Sequence, residues 1–148
     1  MASRRPITHP TDFSPASRPA LAKAIQLAKA GRAPLLILHV LPPLPMLPDA
    51  YIAVTTFNEL QRGHRAHGQH QLDRVVARAK AAGARATGLL LDFGITAEQI
   101  ARVAKSKRAE VIVMGTHGRS GIKRAILGSV AERVVATAPC PVLTVRAR

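Results

Sequence analysis

The segment from Gly115 to Val135, GTHGRSGIKRAILGSVAERVV, follows an apolar run and combines glycines with positive charge. Gly115 and Gly118 remove side chains at points where a backbone could approach a ligand closely. Gly128 and Ser129 lead into a helical pattern, and the free N–H groups of a first helical turn favour an anion. The basic and imidazole side chains of this segment are His117, Arg119, Lys123 and Arg124. We interpret the segment as a cradle for phosphate groups.

Two common phosphate-binding motifs are absent from the chain. A Walker A loop requires G-x-x-x-x-G-K followed by Ser or Thr, and a dinucleotide-binding fold requires G-x-G-x-x-G after its first strand. Neither arrangement occurs in this sequence. Glycines that simply end a strand and form a turn therefore stay open as a second interpretation, because glycine is an ordinary turn residue.

The acidic residues do not form a catalytic set. There are 8 Asp and Glu residues in all, they are scattered, and only Asp12 falls near the predicted site. Efficient phosphoryl transfer needs groups that hold a metal ion and orient the nucleophile. We therefore predict nucleotide binding with no catalytic residues, and the alternative is a slow ATPase or an adenylate-transfer enzyme that uses the same pocket.

Histidines at positions 64, 67 and 70 share one face of a predicted helix, with Asp73 at the next step. Imidazole is a common zinc or nickel ligand, so a metal site is one interpretation. We favour a solvent-facing helix surface and predict no metal ligands. His9 and His39 fall in predicted core strands, and Cys140 between two prolines is expected to be a buried structural residue.

These residues lie in an alternation of predicted strands and helices. The predicted strands are Pro6–Pro10, Leu35–Val40, Ala84–Leu91, Val111–Met114 and Pro141–Val145. The predicted helices run from Ser14 to Gly31, from about Asn58 to Ala82, from Thr96 onward and from Ser129 to Ala136, with Ser14, Thr96 and Ser129 as capping residues. We expect one α/β domain over residues 1–148, with a parallel sheet and helices on both faces. Ligands of such sheets bind beyond the carboxyl ends of the strands, where the phosphate cradle is predicted.

The spacing Gly115-x-x-Gly118-x9-Gly128-Ser129 resembles the nucleotide-binding motif of the universal stress protein family. HPTDFSPAS at 9–17, AEVIVMGTHGRSG at 109–121 and APCPVLTVR at 138–146 resemble the first, fourth and fifth strand regions of that family. The likeness extends from about Arg5 to Arg146. It implies a Rossmann-like, five-stranded parallel α/β fold, a homodimer formed through the C-terminal strand, and ATP binding, with Mg²⁺ bridging the phosphates.

The resemblance also implies a role for each matching position. Thr11 and Asp12 lie on the ribose and adenine side, Val40 packs on the adenine, and Met114 lines the same pocket. The implied phosphate-side residues are Gly115, Gly118, Arg119, Gly128, Ser129 and Val130. Such a protein would be a nucleotide-dependent regulatory or protective module of the stress response.

The charge balance is strongly basic, with 22 Lys and Arg against 8 Asp and Glu and a formal net charge of +14. Such an excess attracts nucleic acid, so weak, non-specific binding to nucleic acid is the alternative function. The basic residues are spread along the chain, which favours a solvated basic surface. No apolar stretch is long enough to span a bilayer, and the single cysteine favours a reducing cytoplasm.

Overall fold

The computed structural model describes residues 4–44, 54–117 and 127–147. Strands and α-helices alternate along these residues, and a single 3₁₀ turn at Pro15–Ser17 precedes the first helix. The elements are β1 (Ile7–Pro10), α1 (Arg18–Gly31), β2 (Leu35–Val40), α2 (Val54–Ala81), β3 (Ala86–Leu91), α3 (Thr96–Ser106), β4 (Val111–Gly115), α4 (Ser129–Thr137) and β5 (Val142–Val145).

The strands form one parallel sheet in the order β3-β2-β1-β4-β5, which confirms the predicted fold class. The strand order reverses between β1 and β4. These two strands pair only at Ile7–Val111 and Thr8–Ile112, whereas β2 and β3 pair along their whole length. A crevice therefore opens between the carboxyl ends of β1 and β4, where parallel sheets of this kind bind ligands.

Two hydrophobic layers cover the sheet. Leu35 and Ile37 of β2 face the layer formed by α1 and α2, and Leu36 and Leu38 face the layer formed by α3 and α4. Both sets of side chains are buried because helices cover both faces. This arrangement explains why β2 reads as an unbroken apolar run, the pattern typical of an interior parallel strand.

Two of the three predicted helix caps are wrong, and the third, Ser14, is the N-cap of the 3₁₀ turn instead of α1 itself. Ser14 is followed by the 3₁₀ turn, so α1 begins only at Arg18. Thr96 and Ser129 are the first helical residues, and the N-cap positions belong to Ile95 and Gly128, which have extended backbones. The carbonyl groups of these two residues accept the first helical hydrogen bonds, from Gln99 N–H and Glu132 N–H. Helices α3 and α4 therefore begin with the residues predicted to cap them.

Helix α2 begins at Val54, before the predicted start at Asn58, and it continues through Gly63 and Gly68. Gly68 is buried, and a methyl group added there would lie 2.6 Å from Leu41 Cδ2. The absence of a side chain lets α2 pack closely on the segment that follows β2, and this packing offsets the low helix propensity of glycine. No helix in the described part of the chain is long and apolar enough to cross a membrane.

Candidate functional site

A cavity of about 410 Å³ lies at the carboxyl ends of the strands, where the strand order reverses. Its walls come from the ends of β1, β2 and β4, from the connection after β3 and from the first turn of α4. Eight residues predicted from the sequence line this one cavity: Thr11, Asp12, Val40, Met114, Gly115, Gly128, Ser129 and Val130. The other two, Gly118 and Arg119, lie outside the described residues, as do Lys123 and Arg124.

The turn between β1 and α1, residues 11–17, is held by its own side chains. Asp12 Oδ1 accepts a hydrogen bond from Ser14 N–H at 2.9 Å, and Thr11 Oγ1 accepts one from Phe13 N–H at 3.1 Å. Thr11 Oγ1 also lies 3.2 Å from Ser17 Oγ. Short polar side chains that bond to the backbone two residues later stabilise a turn locally. The turn is thereby fixed with Thr11 and Asp12 at the cavity.

His39, near the end of β2, contacts the same turn through a hydrogen bond and a ring contact. Its Nδ1 lies 2.7 Å from the carbonyl oxygen of Thr11, and its ring centroid is 4.2 Å from that of Phe13. A carbonyl oxygen can only accept, so Nδ1 carries the hydrogen and donates it. His39 is buried, as predicted, and it is a positioning residue for Thr11.

His9 is also buried, as predicted, at the point where the pairing of β1 with β4 ends. Its Nδ1 donates to the Val113 carbonyl oxygen at 2.8 Å, and its Nε2 has no hydrogen-bond partner among the described residues. Burial lowers the pKa of His9 from 6.5 to about 4, although the Val113 hydrogen bond and the charge of Asp12 act in the opposite direction. The ring is therefore neutral at physiological pH and serves as a cross-strand link.

The first turn of α4 forms the opposite end of the cavity. Gly128 N–H donates to the Thr116 carbonyl oxygen at 2.7 Å, and the first helical hydrogen bond runs from Glu132 N–H to the Gly128 carbonyl. The N–H groups of the three residues between them have no partner within the helix. Because Ser129, Val130 and Ala131 all line the cavity, this end can accept an anion.

Gly128 is also favoured by close packing within the protein itself. A Cβ atom at this position would lie 3.0 Å from the Thr116 carbonyl oxygen, and one at Gly115 would lie 3.3 Å from that of His117. The φ angle of Gly128 is −62°, which any residue can adopt. Close backbone approach within the protein is therefore sufficient to explain this glycine, whether or not a phosphate group also comes near.

The remaining wall of the cavity is apolar. The side chains of Val40, Met114 and Ile100 are buried where they line it. Ile100 and Thr96 belong to α3, and Gly94 of the β3–α3 connection stands beside them in the lining. Sequence reasoning missed these three residues. The rule that every β–α connection of a parallel sheet ends at the same edge could have indicated them.

The histidines of α2 and Cys140 do not line this cavity, whereas His117 does. Among the described residues no three His, Cys, Asp or Glu side chains are close enough to hold a metal ion, and His67 and His70 are exposed on α2. Cys140 is partly buried, and burial raises the pKa of its thiol, although a backbone hydrogen bond with Ile112 acts against that shift. A raised thiol pKa disfavours the reactive thiolate.

Comparison with known proteins agrees with this geometry. The model of the universal stress protein family matches residues 3–146. The chain belongs to the universal stress protein family. Universal stress protein MJ0531 of Methanocaldococcus jannaschii is 36% identical over 140 residues, which span 95% of this chain and 81% of that protein.

Solved structures show the same fold over almost the whole chain. The structure of MJ0577, a universal stress protein of Methanocaldococcus jannaschii, is 26% identical, has a TM-score of 0.81 and matches over 99% of both chains. A universal stress protein solved in complex with cAMP is 26% identical, has a TM-score of 0.72 and matches over 98% of both chains. At least one relative of this universal stress protein therefore holds an adenine nucleotide.

Proposed function

We propose that this universal stress protein binds ATP in the cavity between β1 and β4 and acts as a nucleotide-dependent regulatory module of the stress response. The observation that carries the proposal is that one cavity has both an apolar wall and, at its other end, the free N–H groups of the first turn of α4. An adenine ring requires the first feature and a phosphate chain the second. We further propose that the protein works as a cytoplasmic homodimer.

The dimensions and position of the cavity support a nucleotide. Its volume of about 410 Å³ lies within the range of roughly 300–1,000 Å³ typical of small-molecule sites. It is at the strand-order reversal, where α/β sheets bind nucleotides. The related universal stress protein in complex with cAMP also supports an adenine nucleotide.

Each part of the nucleotide has a residue suited to it. We assign the adenine to the apolar wall of Val40 and Met114, and the ribose hydroxyl groups to Asp12, whose carboxylate can accept their hydrogen bonds. The backbone N–H groups of Ser129 and Val130, with the Ser129 hydroxyl, would bind phosphate oxygens. Gly115 and Gly128 would flank them, and we propose that Gly118 and Arg119 complete this end.

Mg²⁺ fits the site only as a companion of the phosphates. Asp12 is the one carboxylate lining the described part of the cavity, and its Oδ1 already accepts from Ser14 N–H. Mg²⁺ prefers octahedral oxygen coordination and usually takes most of its ligands from water and substrate phosphates. The ion would neutralise phosphate charge beside the α4 N-terminus.

Substitution of Ser129 tests the proposal with a matched pair of variants. Ser129→Glu places a carboxylate at the first position of α4, where the helix dipole stabilises a negative charge, so the fold should tolerate it. Two unit charges about 4 Å apart repel by about 4 kcal/mol at an effective dielectric constant of about 20. We therefore expect Ser129→Glu to weaken ATP binding by at least about a hundredfold after screening. Calorimetric titration with ATP measures this effect.

Ser129→Gln is the control, because it adds the same bulk without the charge. It should weaken ATP binding much less than Ser129→Glu, and circular dichroism should show that both variants are folded. Equal ATP affinity in the wild type and in folded Ser129→Glu would mean that α4 does not face the phosphates, and the proposed function would be wrong.

A further inference from the structure

A second cavity, of about 180 Å³, lies between α1 and α2. Its polar lining includes Ser14 of the β1–α1 turn, Arg18 of α1, and Gln71, Arg74 and Arg78 of α2. Thr11 and Ser17 also line the first cavity, so the β1–α1 turn forms a wall common to both. The volume is below the range of roughly 300–1,000 Å³ for drug-sized ligands. It suits a ligand much smaller than a nucleotide.

Three guanidinium groups border this second cavity. Arg74 and Arg78 are one turn apart on α2, where like charges repel, and Arg18 stands across from them at the start of α1. Within the described residues none of the three forms an ion pair, and the recorded ion pair joins Arg65 to Asp92. The side chain of Asp73, next to Arg74, is exposed and accepts a hydrogen bond from Gln69. The cavity thus carries a local excess of positive charge.

A buried hydroxyl group adds an independent indication. Ser14 is only 9% exposed and lines the cavity, and its Oγ has no hydrogen-bond partner among the described residues. A buried hydroxyl without a partner costs free energy, so most such groups in proteins are hydrogen-bonded. Oγ itself is covered in the position shown, and rotation about the Cα–Cβ bond of Ser14 would let the hydroxyl donate to an oxygen atom of an anion in the cavity. The partly buried amide of Gln71 is a further donor in the same lining.

We propose that this cavity is a binding site for a phosphoryl dianion, either inorganic phosphate or the phosphate of a small phosphomonoester. Guanidinium groups bind phosphate oxygens with two parallel hydrogen bonds, and three of them neutralise a dianion. Ser14 Oγ donates to one of the remaining oxygen atoms. The site uses residues that the proposed nucleotide site does not, so the two proposals can fail independently.

The test is a calorimetric titration of the full chain with inorganic phosphate. A charge-assisted hydrogen bond contributes about tenfold in affinity, so Arg74→Gln/Arg78→Gln should weaken phosphate binding by about a hundredfold. Arg62→Gln/Lys80→Gln is the matched control, because it removes the same charge from exposed positions of the same helix outside the cavity. It should leave phosphate affinity nearly unchanged. Ser14→Ala should weaken binding several-fold.

The Ser129→Glu variant separates the two cavities, because it acts only on the first. Phosphate affinity should be the same in Ser129→Glu as in the wild type. The proposal is overturned by absence of phosphate binding, by equal losses in the two double variants, or by a loss confined to Ser129→Glu. Glycerol phosphate is titrated in parallel: similar affinity would assign the site to a phosphomonoester and weaker affinity to free phosphate, and both results agree with the proposal.

Discussion

At the scale of single residues, the buried ring of His9 links the stability of the fold to pH. The folded state lowers the pKa of His9 from 6.5 to about 4, so the unfolded chain binds a proton between these values and the folded chain does not. Above pH 6.5 the ring is neutral in both states and does not lower the free energy of unfolding. As the pH falls from 6.5 toward 4, protonation of the unfolded chain lowers the free energy of unfolding by about 1.4 kcal/mol per pH unit. The free energy of unfolding should therefore decrease by about 3 kcal/mol over this interval on account of His9 alone.

Urea unfolding from neutral pH down to pH 4 measures this dependence. His9→Asn keeps an amide donor near the Val113 carbonyl and removes the titration, so its free energy of unfolding should depend less on pH. His67→Asn, at an exposed position of α2, should keep the dependence of the wild type. An unchanged pH dependence in His9→Asn would show that His9 is not the responsible group.

At the scale of elements, α2 contains two glycines in opposite surroundings. Among the described residues, no atom outside the backbone of α2 lies within 4 Å of a methyl group added at Gly63, whereas one added at Gly68 would meet Leu41 Cδ2. Gly63→Ala should raise the free energy of unfolding by about 1 kcal/mol, because alanine favours the helix. At Gly68 the same gain is outweighed by overpacking, which costs about 1–3 kcal/mol.

Thermal and urea unfolding of the two alanine variants compare these effects directly. We expect opposite signs, with Gly63→Ala more stable and Gly68→Ala less stable than the wild type. Equal gains in both variants would mean that α2 does not pack on Leu41 as the structure shows.

The elements also mark what the sequence could predict. The bounds of β2 agree with the prediction to the residue, because both of its faces are buried and its apolar run has sharp ends. The first half of α2 has only a weak signal in the sequence, because Gly63 and Gly68 lower its helix propensity while the contact between Gly68 and Leu41 joins residues distant along the chain. The pattern of Thr96 and Gln99 fits a cap or a first helical residue equally, and the extended backbone of Ile95 decides between them.

The candidate site divides in the same way. Gly115, Gly128 and Ser129 stand out because glycine and a helix start have distinctive sequence patterns. Ile100 carries no such mark, and its place in the cavity depends on the strand order, which a single sequence does not specify. The sequence gives no sign of the cavity between α1 and α2, because Arg18 and Arg74 belong to different helices and line one cavity only in the folded chain.

At the scale of the whole molecule, β5 is an edge strand with partly exposed side chains. The carbonyl groups of Pro141 and Val145 accept hydrogen bonds from Ile112 N–H of β4 and from Thr116 N–H just after it. By alternation, the backbone groups of Val142 and Thr144 face away from the sheet. An edge of this kind is a template for pairing with a second copy. An edge strand tolerates proline where its N–H faces away from the sheet, so the fold of a single chain should survive Thr144→Pro. Because the substitution removes the N–H that would pair with a second copy, we expect it to produce a monomer.

Light scattering after size-exclusion chromatography gives the mass of each species. Thr144→Val keeps the outward N–H and should keep the proposed dimer, which separates the loss of a hydrogen bond from the change of side chain. A Thr144→Pro protein that is folded and still dimeric would place the contact between copies on another surface.

The short pairing of β1 with β4 has a mechanical consequence. With only two residue pairs along this line, the sheet consists of a three-strand block and a two-strand block joined by a narrow seam. Helix α1 packs across the seam on one face, and contacts between α3 and α4 link the blocks on the other. A ligand in the first cavity would touch Thr11 and Val40 of one block and Met114 and Ser129 of the other. The ligand would hold the two blocks together at the open end of the seam, so the strength of their association would depend on the concentration of ligand.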